Sequence, residues 1–195
     1  MDVPSINNYV GDIDLPLLDA ILKNQIPSGG RVLDIGCGTG RNAPFFLQNS
    51  GYLYTGVDPD PSSIRLLEVV WKNSNSQFHH SSFQEFKADH QFDFVICSQV
   101  FHLLDASGFR SFWVKINDML TANGVVYASM DSTLDNNCWE PLSGEIVQFR
   151  DGKKRRALTK AQFDWILGLG FEELEPHSTW VKEGRAQTFM LLKKA

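Results

Sequence analysis

The chain has 195 residues, of which 43% are apolar, enough for a single domain with a full hydrophobic core. Its net charge of −5 disfavours a nucleic-acid-binding protein, because phosphate contacts require a basic face. No stretch approaches the ~20 uninterrupted apolar residues of a membrane span, and no signal peptide is recognisable at the N-terminus. The 3 cysteines are widely spaced and form no CxxC pair, which predicts a reducing, cytoplasmic setting and no metal site.

Helical and extended patterns alternate along the first two thirds of the chain. An N-terminal helical segment covers about residues 1–27, with apolar residues at helical spacing between Ile13 and Ile26. In chain order the next predicted elements are strand Val32–Ile35, helix Asn42–Gln48, strand Tyr52–Asp58, helix Ser62–Trp71, strands Gln77–Ser82 and Phe92–Ser98, helix Phe109–Leu120 and strand Val125–Met130. This alternation predicts a doubly wound α/β sheet with helices on both faces, in which ligands bind at the carboxyl ends of the strands.

The regular pattern breaks over about residues 131–156, which are rich in Asp, Asn, Gly and Lys. A long connection of this kind predicts a loop on the substrate side. A helix, Thr159–Leu169, follows, and two strands, Glu172–Val181 and Gln187–Leu192, then predict a hairpin. No domain boundary is visible, so residues 1–195 are expected to form one domain.

The candidate ligand site is the glycine-rich stretch after the first strand, Gly36-Cys-Gly-Thr-Gly40. Glycines between a strand and a helix let a ligand approach the main chain closely. A dinucleotide site requires G-x-G-x-x-G, but Arg41 occupies the place of the third glycine, and a P-loop is excluded because no Gly-Lys-Ser/Thr follows. Asp34 would repel a diphosphate and favour a cation, and Asp58 stands where a carboxylate accepts both ribose hydroxyls. S-adenosylmethionine has both a ribose and a cationic end.

Three successive stretches resemble the motifs of class I S-adenosylmethionine-dependent methyltransferases. They are Val32-Leu-Asp-Ile-Gly-Cys-Gly-Thr-Gly40, Gly56-Val-Asp58 and Phe92-Asp-Phe-Val-Ile-Cys-Ser98. The resemblance implies an enzyme with a seven-stranded, Rossmann-like sheet, mostly parallel with the last strand antiparallel. It also implies S-adenosylmethionine as the cofactor and S-adenosylhomocysteine as its product.

A narrower resemblance rests on three short stretches, Gly38-Thr-Gly-Arg-Asn42, Ala128-Ser-Met-Asp131 and Thr188-Phe-Met-Leu-Leu-Lys-Lys194. These are similar to tellurite-resistance methyltransferases, which methylate chalcogen oxyanions and other soft nucleophiles. The chain is also similar to the broader set of small-molecule methyltransferases with the same core.

The resemblance to the class I family implies a cofactor role for each motif position. Asp34 and the glycine loop would hold the methionine end, Asp58 the ribose, and Pro59 would lie against the adenine. Phe83 would lie beside the adenine too, whereas Ser82 departs from the acidic residue usual in the family. The implied cofactor-binding residues are Asp34, Gly36, Cys37, Gly38, Arg41, Asn42, Asp58, Pro59, Ser82, Phe83, Ser98 and Gln99.

Two residues are candidates for a role in the reaction itself. Methyl transfer from a sulfonium is an in-line displacement that needs alignment and exclusion of water, so no catalytic triad is required. His102 could act as a base or orient the acceptor, or simply pack beside the cofactor. Asp131 could bind the acceptor or merely begin the long loop. Trp139 and Phe149 could form an aromatic lid or anchor that loop.

The expected partner is a small-molecule methyl acceptor, with no nucleic acid and no membrane, bound by a monomer or homodimer. Three alternatives remain open. The chain could bind S-adenosylmethionine without catalysis, or methylate a macromolecule, although no basic groove is visible. A nicotinamide dehydrogenase is disfavoured by the glycine spacing.

Overall fold

A computed structural model describes residues 13–101, 104–132, 139–143, 146–149, 154–182 and 185–195. The helices are α1 (Leu15–Leu22), α2 (Ala43–Gln48), α3 (Pro61–Trp71), α4 (Ala106–Met119) and α5 (Lys160–Leu167). The strands are β1 (Gly30–Ile35), β2 (Tyr52–Asp58), β3 (Ser76–His80), β4 (Phe92–Ser98), β5 (Leu120–Asp131), β6 (Trp139–Ser143), β7 (Ile146–Phe149), β8 (Lys154–Arg156), β9 (Phe171–Glu173), β10 (Ser178–Lys182) and β11 (Arg185–Lys194). None of the helices within these ranges is long and apolar enough to cross a membrane.

The central sheet has the strand order β10-β11-β5-β4-β1-β2-β3. Strands β1 to β5 pair in parallel, and β11 is antiparallel to both β5 and β10. Strand β9 pairs with the end of β11 and shares the edge position with β10, so 8 strands fill the positions of seven. The predicted fold, a mostly parallel doubly wound sheet with an antiparallel last strand, is confirmed.

The chain changes its winding direction between β1 and β4. Strands β2 and β3 lie on one side of β1, whereas β4 and β5 lie on the other. In doubly wound sheets this switch point leaves a crevice at the carboxyl ends of the strands, where ligands bind. Here those ends carry Asp34, Asp58 and Ser98.

The core has two layers, one on each face of the sheet. Strand β4 contributes to both, because Phe92, Val95 and Cys97 pack on the α4 and α5 side while Phe94 and Ile96 pack on the α1 and α2 side. This is the burial that a continuous apolar run predicts for a central parallel strand. The sheet is therefore held rigidly between helices, and its strand ends are fixed in position.

Local hydrogen bonds explain where several helices begin. Asp105 accepts from the Gly108 N–H at 2.7 Å, so α4 begins three residues before the predicted Phe109. Thr159 forms a capping box with Gln162, so α5 begins at Lys160, one residue after the predicted start at Thr159. Helix α1 is shorter than the predicted Ile13–Ile26 stretch, ending at Leu22.

The prediction of an irregular loop over residues 131–156 is wrong for the parts that the structure describes. Strands β6, β7 and β8 form a separate antiparallel sheet in that order. These strands are short and β6 contains Pro141, which the sequence pattern treats as a breaker. Because β6 is an edge strand, a proline there is compatible with the ladder.

Candidate cofactor and acceptor site

The glycine loop between β1 and α2 is built from three residues with left-handed backbone. Gly36, Gly38 and Gly40 have φ angles of 67°, 52° and 87°. A Cβ on Gly36 would lie 2.2 Å from Val100 Cγ1, and one on Gly40 would lie 2.4 Å from Leu67 Cδ2. A Cβ on Gly38 would meet nothing within 4 Å. At Gly36 and Gly40, neighbouring side chains leave no room for a Cβ. Gly38 instead faces open space, where a ligand can reach the main chain.

Asp58 joins the end of β2 to this loop. Its side chain is 9% exposed. Oδ2 accepts from the Gly38 N–H and Oδ1 accepts from the Asp60 N–H, each at 2.8 Å. A carboxylate has about four lone-pair positions, so both oxygens can still accept ligand hydroxyls. Pro59, the next residue, is exposed, and its carbonyl oxygen lies 3.1 Å from His80 Nε2.

Asp34 is a buried carboxyl group beneath the loop. Its side chain is 2% exposed and accepts from the Tyr54 hydroxyl at 2.7 Å. Burial raises the pKa of Asp34 to about 7, and the negative charges of Asp14 and Asp58 act in the same direction. The Tyr54 hydrogen bond and the Arg41 guanidinium oppose this rise. The Asp34 carboxyl group therefore binds Tyr54 beneath the loop.

Cys37 is a buried thiol between the first two glycines. Burial raises the pKa of this thiol above its usual value, and the charges of Asp34 and Asp58 raise it further. A thiol in this state is a poor nucleophile. Its Sγ would lie 3.0 Å from a Cβ on Gly56, so it fills the space that Gly56 leaves.

Arg41 and Asn42 both bind Asp14, a residue that the sequence did not single out. The Arg41 guanidinium lies 3.0 Å from Asp14 Oδ1 and donates to Ser98 Oγ at 2.9 Å. Ser98 Oγ donates to Asp14 Oδ2 at 2.5 Å, and the Asp14 N–H donates to Asn42 Oδ1 at 3.1 Å. Asp14 immediately precedes α1, a position where acidic residues commonly cap helices, and this was the available signal.

Gln99, which follows β4, forms hydrogen bonds with β5 and β11. It has a φ of 60°, unusual for a residue other than glycine. Its side chain donates to Ser129 Oγ at 3.2 Å and accepts from Gln187 Nε2 at 2.8 Å. Its N–H also donates to the Ser129 carbonyl at 3.0 Å. A strained backbone that several hydrogen bonds hold in place is typical of a ligand site.

Ser82 and Phe83 lie beyond β3, because this strand ends at His80 and not at the predicted Ser82. Ser82 Oγ donates to Glu85 at 2.7 Å. The Phe83 ring is buried against Phe112, with centroids 4.5 Å apart, and Lys115 Nζ lies 4.8 Å from its centroid. Any contact between Phe83 and a ligand would therefore involve its main chain.

Asp131 lies at the end of β5, away from the glycine loop, and is 2% exposed. It lines a small cavity together with Phe101, Leu104, Phe109, Met130, Arg156, Ala157, Leu158 and Gln162. Phe109 and Gln162 also line a larger cavity of about 470 Å³ between α4 and α5. There the Arg110 guanidinium lies 5.5 Å from the centroid of the Trp165 ring. The cavity that Asp131 lines is about 20 Å³, roughly the space of one water molecule, and Asp131 is not among the residues that line the larger one.

The structure describes only some of the remaining candidate residues. His102 lies outside the described residues. Trp139 and Phe149 are paired in register in β6 and β7. Within the described part of the chain, no group of three or more His, Cys, Asp or Glu residues could hold a metal ion.

Comparisons with known proteins also indicate a methyltransferase domain. Residues 32–124 match the methyltransferase domain family. A candidate methyltransferase of Geobacillus sp. (strain WCH70) is 31% identical over 110 residues, which cover 53% of this chain and 43% of that protein. The chain spans less than half the length of the curated relatives it matches.

Two crystal structures share the fold at low sequence identity. The 1,6-didemethyltoxoflavin-N1-methyltransferase of Burkholderia thailandensis, with bound 1,6-didemethyltoxoflavin and S-adenosylhomocysteine, has a TM-score of 0.71 and 18% identity. The alignment covers 98% of this chain and 83% of that one. TehB from Haemophilus influenzae has a TM-score of 0.71 and 21% identity, over 94% of this chain and 63% of that one.

The predicted resemblance to class I S-adenosylmethionine-dependent methyltransferases is confirmed by the family match and the shared fold. The matched segment runs from β1 to the start of β5 and contains the glycine loop, Asp58 and Ser98. Residues 32–124 thus match a methyltransferase domain, and the chain has the fold of S-adenosylmethionine-dependent methyltransferases.

Proposed function

We propose that this protein is a methyltransferase that transfers a methyl group from S-adenosylmethionine to a small-molecule acceptor. The observation that carries the proposal is the open space at Gly38, bordered by the Asp58 carboxylate. A ligand can approach the main chain there while a ribose reaches Asp58. The methyltransferase-domain match covers both residues.

The charges around the loop favour a cationic ligand over a diphosphate. Asp14 and Asp58 both raise the pKa of Asp34, and Arg41 lowers it, so these four side chains interact electrostatically. The Asp14 carboxylate pairs with the Arg41 guanidinium, and Asp58 adds a further negative charge near Asp34. Like charges at close range repel by several kcal/mol where the effective dielectric constant is about 20. A pyrophosphate is therefore disfavoured, whereas a sulfonium and an ammonium are favoured.

Each part of the site has a role in this proposal. Asp58 would hold the ribose, and the main chain around Gly38 would contact the methionine end. Gln99 and Ser129 would fix the strand ends that face the acceptor, and Asp131 would bind or orient the acceptor. When bound, S-adenosylmethionine supplies the electrophilic methyl group. Because holding reactants in line removes much of the barrier, the protein contributes mainly position and exclusion of water.

The acceptor is proposed to enter through the larger cavity between α4 and α5, which shares Phe109 and Gln162 with the small cavity lined by Asp131. The larger one, at about 470 Å³, is of the size that small-molecule sites have. Chalcogen oxyanions and other soft nucleophiles are the first candidates, supported by the motifs similar to tellurite-resistance methyltransferases and by the fold shared with TehB. Cytoplasmic location is part of the proposal, and the free thiols of Cys37 and Cys97 are compatible with it.

The cofactor is tested by thermal unfolding with S-adenosylhomocysteine and, separately, with NAD. A ligand at about 100 times its dissociation constant adds about 2.7 kcal/mol to the free energy of unfolding. We expect stabilisation by S-adenosylhomocysteine and none by NAD. Stabilisation by NAD alone would refute the proposal.

Replacement of Asp58 tests where the ribose binds. We expect Asp58→Ala to weaken S-adenosylhomocysteine by about 100-fold or more, because two hydrogen bonds to a charged acceptor are lost. Asp118→Ala, on the exposed side of α4, is the matched control and should leave the affinity unchanged. Affinities are measured by calorimetry, after urea unfolding has verified that both variants are folded. Unchanged affinity in Asp58→Ala would show that the ribose binds elsewhere.

Turnover is then tested with thiols, amines and the oxyanions of selenium and tellurium. Methylation of one of these acceptors is the expected result. Cofactor binding without turnover of any of them would favour the silent cofactor-binding protein, and methylation of RNA or protein instead would favour a macromolecular acceptor.

A further inference from the structure

Asp14 brings a carboxylate from the N-terminal part of the chain to the strand ends at the switch point. Its side chain is only 11% exposed. Oδ2 accepts from Ser98 Oγ at 2.5 Å and from the Tyr127 hydroxyl at 3.4 Å. Burial and the charge of Asp14 raise the pKa of Tyr127, so this hydroxyl keeps its proton and donates. Donors from β4 and β5 therefore hold the carboxylate in place.

The main chain of Asp14 is fixed as well. Its N–H donates to Asn42 Oδ1 at 3.1 Å, and its carbonyl accepts from the Leu18 N–H at 2.9 Å in the first turn of α1. Pro16 lies in this turn and restricts the backbone further. The backbone of Asp14 is therefore held at the start of α1, which keeps its side chain beside Ser98 and Tyr127.

Arg41 is the partner that can move. Its side chain is 47% exposed, and its contacts with Asp14 and Ser98 are made by one end of a long, flexible stem. The loop that carries Arg41 also carries Gly38, where the backbone is open to a ligand. In the Asp14–Arg41 ion pair, the carboxylate is therefore fixed and the guanidinium is free to turn.

We propose that the cofactor exchanges this ion pair for two others, Asp14 with its α-ammonium group and Arg41 with its carboxylate. The inference rests on the proposed function and adds Asp14 as a binding residue. A buried carboxylate that loses its cation is strongly destabilised. Arg41 can consequently turn toward a ligand carboxylate only when the same ligand supplies a cation to Asp14. The pair selects ligands with both groups and rejects nucleosides that lack the amino-acid end.

Calorimetry with two ligands tests the exchange. S-adenosylhomocysteine carries the amino-acid end, whereas 5′-methylthioadenosine has the same nucleoside and sulfur without it. We expect Asp14→Asn to weaken S-adenosylhomocysteine by about 10- to 100-fold, the range for one lost hydrogen bond to a charged group. The affinity for 5′-methylthioadenosine should change by less than about twofold. Asp19→Asn, an exposed change in α1, should alter neither affinity.

A third ligand isolates the ammonium group. S-adenosylhomocysteine without its α-amino group should bind more tightly to Asp14→Asn than to wild type, because in the variant Arg41 can turn to the ligand carboxylate without leaving a carboxylate unpaired. Equal weakening of all three ligands by Asp14→Asn would show a purely structural role and overturn the inference, as would undiminished binding of S-adenosylhomocysteine. If the wild type bound 5′-methylthioadenosine and S-adenosylhomocysteine equally well, the adenosine part of the proposed function would stand and the ion-pair exchange would fail. If it bound neither, the proposed function would fail.

Discussion

The two sides of the crevice are built in different ways. On the proposed cofactor side, Asp34 and Asp58 are buried, and hydrogen bonds from Tyr54 and from the Gly38 N–H fix their carboxyl groups. On the proposed acceptor side, Asp131 lines a small cavity formed largely by apolar side chains from several separate elements. The first side is a fixed set of backbone and carboxylate contacts, suited to one ligand. The second is a cavity whose form depends on several side chains, so substitutions in its lining can alter it.

The largest expected effect concerns two glycines of the cofactor side. Gly40→Ala places a Cβ against the fully buried Leu67 at a φ of 87°, and we expect it to lower the free energy of unfolding by about 3 kcal/mol. Gly38→Ala meets no atom, so we expect a loss of only about 1 kcal/mol, from left-handed backbone. Urea unfolding measures both.

For ligand binding, we expect the effect of Gly38→Ala to exceed that of Gly40→Ala. Gly38→Ala fills the space that the ligand needs, so we expect S-adenosylhomocysteine to bind at least about 10-fold more weakly to a folded protein, a loss of about 1.4 kcal/mol. If Gly38→Ala bound the ligand normally, the ligand would not approach the main chain at this point. The cofactor side would then be a structural turn only.

A pH profile of stability tests the buried carboxyl group of this side. The pKa of Asp34 is about 7 in the folded protein, against an ordinary value of 3.8, because burial disfavours the charged form. Between these values the folded state retains a proton that the unfolded state has lost, so the free energy of unfolding falls as the pH rises from about 4 to about 7 and levels off above that. We expect Asp34→Asn to remove about 2 kcal/mol of this fall between pH 5 and pH 8.

Urea unfolding at several pH values provides the measurement, with Asp118→Asn as a control whose exposed side chain should leave the profile unchanged. Parallel profiles for wild type and Asp34→Asn would mean that Asp34 is ionised throughout. The cofactor side would then carry a larger negative charge than we infer.

The remaining expected effect lies on the proposed acceptor side. Asp131→Asn should lower kcat/KM for the acceptor found in the turnover panel by about 10-fold, or about 1.4 kcal/mol of transition-state stabilisation. The affinity for S-adenosylhomocysteine should remain within about twofold of wild type, because β4 and β1 separate β5, which carries Asp131, from β2, which carries Asp58. Loss of cofactor affinity in this variant would contradict the separation of the two sides.

The parts of the fold that were predictable are those with strong local signals. Strands β2 and β4 begin and end at the predicted residues, Tyr52–Asp58 and Phe92–Ser98, since each is an apolar run with a clear end. Strands β6 to β8 were missed because they are short and β6 contains a proline. Helix starts shifted by a few residues where a capping residue such as Asp105 decided them.

The sequence by itself determined the glycine loop, Asp34, Asp58 and the alternation of strands and helices, because contiguous residues form these motifs and local backbone geometry requires them. Only the tertiary structure decided that Asp14, Arg41 and Ser98 form one cluster, since these residues are far apart in the chain and meet where α1, the glycine loop and β4 converge. It also decided that the Phe83 ring packs on α4, and which side chains line the cavities near Asp131. Such contacts depend on how elements pack, and a linear pattern of residues does not encode that packing directly.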